Sequence, residues 1–189
     1  DGNIFDPKKK EVCDEIGAEI MAALADSHIQ ELSYQNGNLG QKTAHAMKLT
    51  LQSAFSKKAG TSKGLTVIDL SNNPFGDDAG ATMMQGLSGN ETLRKLTLQS
   101  TLFGSKTGKQ FYTVVNKAHG RFSLEHIDLS NNKLGTRGAS PLFKLLQLKN
   151  DWLREVVLKN NGINDHSFGT AVLFGKVIGA TNNLITRLD

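Results

Sequence analysis

The chain has 189 residues, 38% of them hydrophobic, enough by length for a shared apolar core in one or two domains. A formal net charge of +4 is too slight an excess to argue for nucleic acid, whose dedicated binders gather lysine and arginine on one face. The lone Cys13 excludes an internal disulfide, no run approaches 18 apolar residues, and the first residues do not read as a secretion signal. The expectation is therefore a cytoplasmic protein in a reducing compartment, without a membrane span.

A phrase written twice organises everything else: Ile68-Asp69-Leu70-Ser71-Asn72-Asn73 and Ile127-Asp128-Leu129-Ser130-Asn131-Asn132, followed by Phe75-Gly76 and Leu134-Gly135. The underlying template has apolar residues at positions 1, 4 and 6, an amide or small residue at 9 and an apolar residue at 11. Recurrence of such a phrase marks a stack of similar units.

In chain order, Asn3 and Phe5 have the spacing of positions 9 and 11 in an earlier unit. Pro7 suits the first position of a helix. That helix shows Val12, Ile16, Ile20 and Leu24 four apart, with Cys13 beside them, and ends near Ser27. Lys8-Lys9-Lys10 in its first turn opposes the helix dipole and reads as solvated. Full units then start near 29, 65, 93, 124 and 153, and a sixth at 185 breaks off, so both ends read as cut from a longer protein. The spacings are 36, 28, 31, 29 and 32 residues, and Ser56 to Gly64 reads as an insert.

Each unit changes period, from alternation that suits a short half-buried strand to a helical four-residue spacing. The helical faces are Thr43, Met47 and Leu51; Ala79, Met83 and Leu87; Thr107, Phe111 and Val115; and Gly138, Leu142 and Leu146. Small residues beside them (Ala44, Gly80, Gly108, Ala139) are expected to let each helix sit close to its own strand. One strand and one helix cannot bury their apolar faces alone, so residues 1–189 should form a single solenoid of about five full repeats. The position-9 amides should form a ladder that satisfies backbone groups, with looser corners where Gly37 and Thr101 replace asparagine.

These Leu-x-x-Leu-x-Leu-x-x-Asn phrases resemble the leucine-rich repeat family, in its ribonuclease-inhibitor-like type. The resemblance covers nearly the whole chain and implies an α/β solenoid with a parallel sheet on the concave face and α-helices on the convex face. Repeats of similar length occur in the Ran GTPase activator, the C-terminal domain of tropomodulin and CARMIL, which binds actin capping protein. The resemblance implies a protein-binding module, part of a cytosolic or cytoskeletal scaffold; its alternative implication is a GTPase-regulating domain.

Catalytic motifs are poor. Gly104-Ser105-Lys106-Thr107-Gly108-Lys109-Gln110 is one residue short of a phosphate loop, has Gln110 where a hydroxyl should follow the lysine, and aligns with the strand-to-helix turn of the other units. Asp69, Asp128 and Asp189 share one column on alternate units, roughly 10 Å apart at about 4.8 Å per strand, too far to share a cation ligated at about 2.4 Å. His28, His45, His119, His126 and His166 have no metal-ligand spacing, and Asn90-Glu91-Thr92 is an incidental glycosylation triplet. No metal, cofactor or enzymatic activity is expected. Trp152 and Tyr34 read as packing residues. What remains is the polar concave sheet, where the candidate partner-binding residues are Arg94, Lys95, Glu125, His126, Asp128, Arg154 and Lys159. Arg94 and Arg154 lead, because a planar guanidinium grips carboxylates at two points.

Overall fold

A computed structural model describes residues 7–25, 27–53, 64–117, 123–148, 152–164, 176 and 187–188. Asn3, Phe5, His119, His166, Asp189 and the insert before Gly64 lie outside the described residues. Six strands form one parallel sheet in sequence order: β1 (Glu31–Ser33), β2 (Val67–Asp69), β3 (Lys95–Thr97), β4 (His126–Asp128), β5 (Glu155–Val157) and β6 (Arg187–Leu188). Each begins two residues after a repeat start read from the sequence. Between them run α1 (Pro7–Leu24), α2 (Gln41–Leu51), α3 (Asp77–Gln85), α4 (Ser105–Lys117) and α5 (Gly135–Leu148), each packed on the next.

The register places Leu32, Ile68, Leu96, Ile127, Val156 and Leu188 side by side. Leu70, Leu98, Leu129 and Leu158 follow them inward and are buried, and the first three donate their N–H groups to Thr97, Asp128 and Val157 of the next unit. Burying one such side chain contributes about 1.5–3 kcal/mol. The four helical faces of α2 to α5 are buried as the period requires.

The first helix is phased differently from its apolar spacing. Val12 and Ile16 are 53% and 47% exposed, while Asp14, Gly17, Met21 and Leu24 are turned inward. The cause is a hydrogen-bonded carboxylate. Asp14 Oδ1 accepts from the Gly40 and Thr43 N–H groups at 2.7 and 2.9 Å, and Oδ2 accepts from Lys42 N–H at 2.9 Å. Those three donors sit in the first turn of α2 and its approach, where helix geometry leaves N–H groups without intrahelical partners.

The small residues also act elsewhere than expected. A Cβ on Gly80 would strike the Phe103 ring and the Thr107 hydroxyl, and one on Gly108 would strike the Gly138 carbonyl. At Gly80 and Gly108 the missing side chain thus sets the approach of neighbouring units to one another.

The amide ladder is present. Asn73 Oδ1 accepts from Gly37 and Leu39 N–H, while Nδ2 donates to Tyr34 and Leu70 carbonyls at 2.8 and 2.9 Å. Asn132 repeats the pattern on Thr101, Phe103, Leu98 and Leu129. Thr101 is fully buried, with its hydroxyl 2.9 Å from Leu98 O and 3.0 Å from Asn132 Oδ1. That corner is therefore well bonded to the unit that follows. What it lacks is a rung backwards: Phe75 N–H donates to Asn73 O instead of to a ladder side chain.

Candidate protein-binding surface

Alternation in the strands sends Lys95, Thr97, His126, Asp128, Glu155 and Val157 to the face away from the helices. With Asp69, Gln99, Ser130, Asn131, Lys159 and Asn160 they line a shallow concave groove of about 510 Å³. Of the expected binding residues, the groove brings together Lys95, His126, Asp128 and Lys159.

Arg94, Glu125 and Arg154 are placed differently. They precede their strands and form a row at one rim, with Glu125 carboxylate oxygens 3.9 Å from Arg94 Nε and 3.8 Å from Arg154 Nε. Arg94 Nη1 also donates to Ser123 O at 2.9 Å. The three side chains are about half exposed, so each pair contributes about 0–1 kcal/mol. The two arginines therefore share one carboxylate on the rim and do not project into the groove's floor.

The floor holds acids that are already hydrogen-bonded. Asp69 Oδ2 accepts from the Gln35 amide at 2.7 Å and Oδ1 from Ser71 N–H at 3.0 Å. Asp128, only 7% exposed, repeats this with Gln99 at 2.6 Å and Ser130 N–H at 2.8 Å. Their partners are glutamines of the preceding unit. His126 Nδ1 lies 2.8 Å from Glu155 Oε2; a carboxylate only accepts, so that nitrogen carries the proton. Among the described residues, no carboxylate lies within ion-pair distance of Lys95 or Lys159.

The glutamine–aspartate pairs were readable in principle, since Gln35 and Gln99 fall at position 7 of alternate units and the aspartates at position 5 of the units after them. Asn131 and Asn160, which join side chain to side chain at 2.8 Å along one wall, carried no such signal.

The turn that looked like a phosphate loop is occupied from within. Asp77 Oδ1 accepts from Gly104 N–H, Thr107 N–H and Thr107 Oγ1, all at 2.8–2.9 Å, and Oδ2 accepts from Lys106 N–H at 3.0 Å. Lys106 Nζ reaches Asp78 at 2.7 Å. A helix start that could hold an anion thus holds a carboxylate of the previous helix, as Asp14 does for Gly40-Gln41-Lys42-Thr43. The glycosylation triplet is likewise structural: Asn90 is buried, donates to Leu51 O and accepts from Thr92 and Leu93 N–H. Tyr34 and Trp152 pack against the core, partly buried. No three or more His, Cys, Asp or Glu side chains are placed to hold a metal among the described residues, and no described helix is long and apolar enough to cross a membrane.

A stack of strand–turn–helix units with a polar open sheet defines a repeat protein built for surface contact. The family model described as "Leucine Rich repeat" matches residues 62–84 and 122–143, the two stretches that contain the doubled phrase. Those two stretches are leucine-rich repeats, and the parallel sheet with a helix before each of its first five strands is the leucine-rich repeat fold of the ribonuclease-inhibitor-like type. The chain's fold is similar to that of the solved "Leiomodin-1 Actin-Binding Site 2", with a TM-score of 0.60 at 13% identity over 88% of this chain and 87% of that one. No curated protein matches it in sequence.

Proposed function

We propose that the chain is a non-catalytic protein-interaction module of a cytoplasmic, cytoskeleton-linked scaffold, and that it binds its partner through the concave sheet. The observation that carries this reading is the groove over β2 to β5, lined by polar side chains except Val157 and held in register by the amide ladder and the cross-unit carboxylates. Side chains fixed on such a frame lose little ordering entropy on binding, and extended concave surfaces are what repeat stacks use. Lys95, His126, Asp128 and Lys159 form the contact floor; Arg94, Glu125 and Arg154 form its rim. The similarity to an actin-binding domain supports a cytoskeletal setting at the level of fold.

The test compares three forms of the chain: unaltered, Lys95→Glu with Lys159→Glu, and a convex-face control, Lys109→Glu with Lys144→Glu. Each is assayed for co-sedimentation with filamentous actin and for capture of proteins from cytoplasmic extract. Capture lost only with the concave pair supports the reading. Capture lost only with the convex pair, or unaffected by either, contradicts it.

A further inference from the structure

Over β2 to β5 the concave face sorts its charges by depth, whereas Glu31 on β1 is an exposed acid of the same face. Arg94, Lys95, Arg154 and Lys159 are all exposed, whereas Asp128 is buried and Asp69, Glu155 and His126 are half-buried. The one exposed acid of the candidate set, Glu125, is shared between two arginines. An approaching surface therefore meets cations first, and the acids beneath are engaged with Gln35, Gln99 and His126.

Lys95 and Lys159 stand diagonally across the groove from one another. The register runs Lys95 to His126 to Glu155, two strands across, and Lys159 lies four residues further along. At about 4.8 Å per strand and about 3.3 Å per residue their Cα atoms are separated by about 16 Å. Residues i and i+4 of an extended segment face the same side about 13 Å apart, and the flexible lysine side chains reach across the remaining about 3 Å.

We propose that the groove takes an extended acidic segment of a protein partner, lying obliquely across β3 to β5 with carboxylates about four residues apart at Lys95 and Lys159 and further acids along the arginine rim. This rests on the concave face being the binding face and adds the chemistry of what it binds. The arrangement favours partners by charge sign, and repulsion from the exposed cations rejects basic segments.

Fluorescence anisotropy of the full chain with labelled twelve-residue peptides tests it. The probes are Gly-Ser peptides carrying glutamates at i and i+4, with glutamine and lysine counterparts, plus a single-stranded oligonucleotide of equal charge. The glutamate peptide should bind, with its affinity lowered about tenfold or more by Lys95→Glu with Lys159→Glu, a change that also introduces repulsion, and unaltered by the convex-face pair. Far-ultraviolet circular dichroism of each variant checks that these exposed substitutions leave the stack folded. Equal binding of glutamate and glutamine peptides, preference for the lysine peptide, no binding of any peptide, or tighter binding of the oligonucleotide overturns the acidic segment. If the proposal fails in this way while extract capture remains sensitive to concave substitutions, the interaction reading stands and only the partner chemistry falls.

Discussion

Single side chains do more connecting work than their residue types suggest. Asp14 and Asp77 each cap the helix of the following unit. Burial alone would raise their pKa values and is the largest single influence, but hydrogen bonds from Thr43, Lys42 and Gly40 on Asp14, and from Thr107, Lys106 and Gly104 on Asp77, together hold both below the usual 3.8. A lowered folded pKa means the unfolded chain binds protons more readily, so this stability is complete above pH 3.8 and is lost as pH falls through the lower folded values. Asp77→Ala should cost about 1–2 kcal/mol at neutral pH. In thermal melts between pH 5 and pH 2, the variant should show a smaller acid-induced fall in Tm than the unaltered chain. Thr92 offers the opposite case: its hydroxyl is buried without a partner. Thr92→Val should leave stability within about 0.5 kcal/mol or raise it, measured by urea unfolding, because no hydrogen bond is lost. The ladder was legible at position 9, the second asparagine of each pair, but the role of the first was not. Asn72, Asn131 and Asn160 sit at φ near +56 to +59°, the left-handed region that asparagine tolerates, and the asparagine after each makes the rungs.

At the scale of the element, strands were read almost to the residue because Leu-x-Leu alternation and burial on one face coincide. The faces of α2 to α5 followed for the same reason. Helix α1 departed because its phase is set by a carboxylate and by Gly17, whose added Cβ would meet Leu39 and Thr43, and no apolar periodicity encodes either constraint. The small residues were visible but their target was not, since spacing along one helix says nothing of the next helix's backbone. Gly108→Ala tests the revised assignment. Its methyl group would overlap the Gly138 carbonyl, which is backbone and cannot rotate away. The expected cost is about 1–3 kcal/mol in denaturant unfolding. A Gly108→Ala chain of unaltered stability would show that α4 and α5 are not in contact there.

At the scale of the molecule, units alternate. The pair Asp14 with Gly40-Gln41-Lys42-Thr43 recurs as Asp77 with Gly104-Ser105-Lys106-Thr107, and the pair Gln35 with Asp69 recurs as Gln99 with Asp128. The stack is thus built from two kinds of unit in turn, each bonded to the other through a polar side chain, with the apolar core continuous beneath. Architecture was legible because it is written in repeated local patterns. The proposed binding surface was only half legible. Residue type placed Lys95, His126, Asp128 and Lys159 correctly on the open face, but the sequence could not show that Glu125 draws the two arginines onto the rim, or that the acids lie deeper than the lysines.

The central claim is that this concave face is where a partner protein meets the chain. Site-specific photo-crosslinking addresses it most directly, with a photoreactive residue replacing Thr97 on the groove floor or Lys109 on the convex helices, followed by mass spectrometry of the adducts formed in cytoplasmic extract. The account predicts a discrete protein adduct from position 97 that an excess of unlabelled chain competes away, and none from position 109. A competable adduct from position 109 alone would contradict it.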